Sequence, residues 1–328
     1  MHRPAALITV LLSAVLSVTA WAKGPAYTDP KMTDADFPFQ GEYVGKGKSE
    51  GGEIAIGLQV IALGGGKFHA VGYHGGLPGA GWDKDKKKKE ADGEVKDGVL
   101  TFQGEGAVAT VKDGVATIID ENGNEIGKLE KTERTSPTIG AKPPEGAVVL
   151  FDGKSADAFQ NGKVTEDGLL MQGTSSKQKF GSCKLHIEFR LPYQPEDRGQ
   201  ARGNSGIYVG GRYECQMLDS FGLEGKDNEC GGLYSVKPPD INMCLPPLTW
   251  QTYEIDYTAA KFEGDKLVAN PRVTIQHNGV TIHKDVELPG ERSTTAAPNK
   301  PGPEPGPIYL QDHGNPVRYR NIWVVEKK

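Results

Sequence analysis

Three short runs of this sequence alternate apolar residues with polar ones that can do chemistry. In YECQMLD, Tyr213, Cys215 and Met217 alternate with Glu214, Gln216 and Leu218, and Asp219 ends the run. Successive side chains of a strand take opposite faces, so a carboxylate and an amide share one surface there. In NSGIYVGG, Ile207 and Val209 fall on one face and Asn204, Gly206 and Tyr208 on the other, with glycines that leave a ligand room against the backbone. In PIYLQDHG, Ile308 and Leu310 alternate with Tyr309, Gln311 and His313. A fourth run sets His186, Glu188 and Arg190 against Leu185, Ile187 and Phe189, and an ordinary solvated outer face accounts for it. Tyr, Asn, Gln, a carboxylate and His on a sheet with few apolar neighbours are the groups that hydrogen-bond sugar hydroxyls, so a carbohydrate is the leading ligand class.

Strands must position these groups, and the composition agrees. With 44 Gly and 22 Pro in 328 residues a mostly helical chain is disfavoured, because these residues cost about 1 and 3 kcal/mol in a helix interior. From 23 to 133 short alternating runs separated by Gly-containing turns predict a small β-meander domain. Asp97-Gly98, Asp113-Gly114 and Asn278-Gly279 are tight-hairpin dipeptides. Residues 134–146 lack periodicity and are Pro-rich, as an inter-domain linker is. From 147 to 328 nine or more strands predict an antiparallel jelly-roll β-sandwich, so the whole chain reads as all-β.

Residues 1–22 read as an export signal: a basic start, an apolar run and an Ala20-Trp21-Ala22 cleavage site, which places the mature protein outside the cytoplasm, secreted or periplasmic. No later segment is apolar enough to span a bilayer. Formal net charge is −5 for the whole chain, and this mild acidity argues against a nucleic-acid partner. Export permits disulfides. Cys230 and Cys244 bracket a Gly- and Pro-rich stretch that a bridge would staple, whereas Cys183 and Cys215 read as buried thiols. The run of charges from Asp83 to Glu90 reads as a solvated loop. The neighbouring segment with His74 and Trp82 is either a sugar-stacking platform or a loop that packs its indole.

The stretches GNSGIYVGGRYECQMLDSFG from Gly203, CGGLYSVKPPDIN from Cys230, WQTYEIDY from Trp250, HNG from His277 and GPIYLQDHGNPVRYRNIWV from Gly306 closely resemble the 3-keto-disaccharide hydrolase family, also described as a 3-keto-glucoside 1,2-lyase and 3-keto-2-hydroxy-glucal hydratase domain. The resemblance spans about 146–328 and implies a concanavalin A-like lectin/glucanase sandwich. It also implies a substrate, an oligosaccharide or glycoside whose C3 ketone acidifies the C2 hydrogen. A general base removes that hydrogen, the enolate expels the C1 substituent, and water adds back. In laminarinase-type relatives of that fold, carboxylates alternate along one concave strand. Here Gln216 interrupts that pattern, which counts against simple two-carboxylate hydrolysis. The expected base is Glu214 or His313, with Asp219 as its orienter or the leaving-group acid. Asn204, Tyr208, Gln216 and Gln311 are expected to bind sugar or face the enolate oxygen, and Lys237 and Arg320 to stabilise charge. Glu214, Asp219 and His313 are also of the types that hold a divalent cation, which would act as a Lewis acid, while no other cofactor is called for. A lectin-like binding module and an ordinary glycosidase remain the rival readings on the same fold.

Overall fold

The computed structural model describes residues 24–49 and 51–327; the predicted export signal lies outside them. Eight strands come first: β1 (Gly41–Ser49), β2 (Gly52–Gly64), β3 (Lys67–His74), β4 (Lys89–Lys96), β5 (Val99–Gly104), β6 (Ala107–Lys112), β7 (Val115–Asp120) and β8 (Glu125–Thr132). Each pairs antiparallel with the next, and β8 pairs with β1, so the meander closes into a barrel. Closure needs β1 and β8 to touch backbone to backbone. At Gly45, opposite Leu129, a Cβ would sit 2.1 Å from the Lys128 carbonyl oxygen. The inward face of the period-2 pattern fills the barrel: Tyr43, Val60, Phe68, Leu100, Phe102 and Leu129 are all fully buried. It is thus a packed support rather than a ligand cup.

The remaining strands are β9 (Val148–Phe151), β10 (Phe159–Gln160), β11 (Leu170–Met171), β12 (Thr174–Phe180), β13 (Cys183–Arg190), β14 (Asn204–Val209), β15 (Tyr213–Leu218), β16 (Trp250–Thr258), β17 (Lys261–Glu263), β18 (Lys266–Ala269), β19 (Arg272–His277), β20 (Val280–Glu287), β21 (Gly306–Leu310) and β22 (Arg318–Glu326). One sheet runs β10-β12-β21-β14-β15. The facing sheet runs β11-β22-β13-β16-β19-β20, with β9 on β22, and β17-β18 is a separate ribbon. This is a jelly-roll sandwich. Ile207, Cys215, Met217 and Leu310 from the first sheet meet Leu185, Ile187, Phe189, Tyr253 and Val324 from the second in one core. Ile61, Val71, Tyr73 and Leu77 on the barrel belong to that same core, so barrel and sandwich are fused by apolar packing. No helix among the described residues is long and apolar enough to cross a membrane.

Two connections matter for function. The 134–146 connection lies as a strap on the seven-stranded sheet: Ser136 and Thr138 hydroxyls meet the Thr252 hydroxyl at 2.6 and 2.8 Å, and the Gly140 N–H donates to Glu188 at 2.6 Å. This overturns the expectation of a solvated face at His186 and Glu188, which are 0% and 1% exposed. His186 Nδ1 meets Glu254 at 2.5 Å, its ring stacks on Trp323, and Asn321 and Arg320 donate to Glu188 at 2.8 and 2.6 Å. Burial opposes ionisation of Glu188, yet hydrogen bonds from His186, Asn321, Gly140 and Arg320 hold its pKa down to about 2.

The second connection, 219–249, closes the flank between the sheets. Gly231 and Gly232 exchange backbone hydrogen bonds with Gln216 at 2.9 Å, and the Asp240 N–H donates to Ile282 O at 2.9 Å. The four cysteines are free and buried, so the expected Cys230–Cys244 bridge is absent. Backbone pairing to both sheets already holds this segment, and the two thiols lie side by side unbridged, Cys230 also meeting the Tyr253 hydroxyl and Cys244 the Leu218 carbonyl.

Candidate functional site

On the outward face of the five-stranded sheet, register aligns one row of polar side chains. Glu214 pairs with Tyr208, Tyr208 with Tyr309, Tyr309 with Ser175, and Ser175 with Gln160. The next row holds Gln216 opposite Gly206, whose carbonyl accepts the Gln311 N–H at 2.9 Å. Asn204 follows, opposite Leu218. These residues share a face because Ile207, Cys215 and Leu310, one position away, are committed to the core.

Glu214 sits at the centre and is 2% exposed. Its carboxylate folds over Gly206, where a Cβ would lie 2.1 Å from Oε1; only glycine leaves that space. Burial pushes the Glu214 carboxyl up to about 7, a hydrogen bond from Tyr208 offsetting part of the effect. The Tyr208 hydroxyl also lies 3.0 Å from Thr295 O, an alternative acceptor for its one hydrogen, and accepts from Gln311 Nε2 at 3.2 Å, which fixes its position between amide and acid. Desolvation raises the Tyr208 phenol pKa, so the hydroxyl stays protonated and available as a donor. Thr294 takes the Glu214 N–H at 3.0 Å, and the Tyr234 N–H donates to Glu214 O at 3.3 Å. Loops thus wall the site on two sides.

The other expected residues divide. Asn204 and Gln216 are buried farther along the same face and bind a roof: Asn204 Nδ2 donates to Gln200 O at 2.8 Å, Gln216 Nε2 to Gln200 Oε1 at 3.2 Å, and Gln200 Nε2 to Asn228 O at 2.9 Å. Asn204 Oδ1 is buried with no partner among the described residues, an acceptor open to a ligand hydroxyl. His313 is exposed in the turn after β21, two residues beyond Gln311. Asp219 lies five residues along from Glu214, roughly 17 Å at about 3.4 Å per residue. It is buried in an ion pair with Arg202 at 2.7 Å, and Arg202 reaches on to Ala62 O of the barrel at 3.2 Å. Asp219 therefore ties the barrel to the sandwich and is not brought to Glu214. Lys237 lies in the 219–249 connection, paired with Asp240 at 2.5 Å. Arg320 belongs to the other sheet, on Glu188 and over the Trp250 ring at 4.0 Å. Among the described residues no group of three His, Cys, Asp or Glu can hold a metal, so Glu214, Asp219 and His313 do not form a cation site. The pairing of Asp219 with Arg202 is the physical reason.

Sequence reasoning did not assign Tyr234, Gln200 and Asn228 to the site, because they lie in loops without periodicity, whereas alternation with Leu310 marks Tyr309. The arrangement has one neutral-range carboxyl in a water-poor site beside a phenol and an amide, which suits proton abstraction from carbon. Glycosidase carboxylate pairs stand about 5 to 9.5 Å apart, far closer than Glu214 and Asp219.

No match was found among the curated proteins. Among solved structures, a Parabacteroides distasonis ATCC 8503 protein provisionally described as a glycosyl hydrolase is 34% identical, with a TM-score of 0.51 over 56% of this chain and 85% of that one. A second protein of that organism, described likewise, is 18% identical with a TM-score of 0.43 over 60% of this chain and 99% of that one. Residues 146–325, from the end of the strap to β22, match the 3-keto-alpha-glucoside-1,2-lyase-like domain, and with more than half its length so matched this chain belongs to that carbohydrate-acting family.

Proposed function

We propose that the protein is an exported enzyme that cleaves 3-keto-glycosides by elimination and hydration. Glu214 as carboxylate takes the proton from C2, and the electron pair delocalises onto the C3 ketone oxygen as an enolate. The Tyr208 hydroxyl and Gln311 amide donate to that oxygen. Collapse of the enolate forms the C1–C2 double bond and breaks the bond from C1 to the glycosidic oxygen, which leaves with a proton supplied by solvent or His313. Water then adds at C1 while protonated Glu214, its acidic proton first exchanging with solvent, protonates C2, so the net change is hydrolysis. Asn204 and Gln216 position sugar hydroxyls.

The observation that carries this reading is the buried Glu214 carboxyl with its pKa near neutrality, in contact with Tyr208. A base of that strength is half ionised where it works, and positioned general bases contribute about 10² to 10⁴-fold. The test compares a 3-keto-glucoside with its unoxidised parent. Release of aglycone from the ketone alone is expected. Equal release from both would favour an ordinary glycosidase, and binding without release a lectin-like module.

A further inference from the structure

Away from Glu214, barrel and sandwich enclose a cleft of about 280 Å³. The barrel supplies Tyr73, Trp82 and Lys88, and the 219–249 connection supplies Glu224, Asp240 and Asn242. Tyr73 and Trp82 meet edge to face, ring centroids 5.1 Å apart, and the Tyr73 hydroxyl is anchored on Gln59 at 2.7 Å. The Lys88 ammonium stands 5.7 and 5.4 Å from the two ring centroids. The indole N–H of Trp82 is buried with no acceptor among the described residues.

We propose that this cleft is a second carbohydrate site, which takes one pyranose ring of an oligosaccharide against Trp82 and Tyr73. Three features support it. The half-buried Trp82 indole, braced at 73° by the buried Tyr73 ring whose hydroxyl is fixed on Gln59, offers a rigid apolar platform for the C–H face of a sugar. Across from them stand carboxylates and an amide, with an ammonium on the aromatic side. This mixed set of donors and acceptors suits neighbouring hydroxyls and selects for neither anion nor cation. The volume lies just under the range of about 300–1,000 Å³ typical of drug-sized ligands, as one ring requires. The same segment walls both places: Tyr234 borders Glu214, and Asp240, bonded to Lys237, lines the cleft. A longer glycoside held in the cleft would be retained near the catalytic face.

The choice of a sugar rests on the function proposed above, but the test needs no C2 chemistry. Cellobiose, maltose and lactose, none of them oxidised at C3, are titrated into the intact protein by calorimetry and saturation-transfer NMR. Binding of at least one is expected, weakened about tenfold or more in Trp82→Ala, retained in part in Trp82→Phe and unchanged in Glu214→Gln. Lys88→Ala and Asp240→Asn, which alter side chains at the cleft mouth, are expected to weaken it severalfold and cover the case in which Trp82→Ala does not fold. Absence of binding by all three sugars, binding indifferent to all these cleft variants, or loss in Glu214→Gln alone overturns the proposal. Failure of 3-keto cleavage with cleft binding intact would overturn only the catalytic reading.

Discussion

Replacing Glu214 by Gln should make the protein more stable at alkaline pH while abolishing turnover. The folded state raises the Glu214 pKa from 4.5 to about 7, so it binds a proton more tightly than the unfolded chain. Stability from this group is complete below about pH 4.5 and is lost as pH rises toward 7. With 1.36 kcal/mol per pKa unit, the cost of ionising the buried acid is about 3 kcal/mol at pH 8 and under about 1 kcal/mol at pH 5. Glutamine keeps the shape and carries no charge at either pH. The stability gap between Glu214→Gln and wild type should therefore widen in the variant's favour by about 2.5 kcal/mol from pH 5 to pH 8. Urea unfolding at the two pH values measures it. A gap that stays constant, or one that narrows, would refute the buried, neutral-range acid on which the mechanism rests.

The pH dependence of kcat/KM on a 3-keto-glucoside should rise through an apparent pKa near 7 as Glu214 ionises; a flat profile across that range would exclude it as the base. His283, buried with Nε2 on Gly231 O at 2.7 Å, has its pKa pushed down to about 4 by desolvation, so its stability is present above about pH 6.5 and lost as pH falls toward 4. His283→Gln should spare the protein about 2 kcal/mol of the stability that wild type loses between pH 8 and pH 5, again by urea unfolding. Asp219→Asn leaves the buried Arg202 charge without its partner and should cost about 3 kcal/mol or more in denaturant unfolding. A variant as stable as wild type would return Asp219 to the list of catalytic candidates. Arg320→Ala should loosen the strap side of the molecule without changing KM for a 3-keto-glucoside, and a severalfold rise in KM would show that it meets substrate.

Period-2 alternation is a local signal, and it carried the sequence reading as far as local signals go. The hairpins at Asp97-Gly98, Asp113-Gly114 and Asn278-Gly279 form as expected, their Asp and Asn residues at φ near +50°. The shared face of Glu214, Tyr208 and Gln311 follows from the same alternation. What escaped is long-range. Closure of the meander into a barrel depends on β1 meeting β8, some 80 residues later. The reassignment of Asp219 depends on Arg202 and on a barrel carbonyl, and that of Arg320 on a partner strand 132 residues earlier. The burial of His186 and Glu188 required a linker to lie down on them. Polar residues alternating with apolar ones declare a face; they do not say what covers it.

The central claim is that Glu214 removes the C2 proton, and a 3-keto-glucoside deuterated at C2 tests it most directly. With wild type, aglycone release should show a primary isotope effect, and sugar formed in ordinary water should carry hydrogen at C2 in place of deuterium. Glu214→Gln should lose release of the aglycone and exchange at C2 together. Turnover that retains the C2 deuterium, or exchange that persists undiminished without the Glu214 carboxyl, would contradict the account.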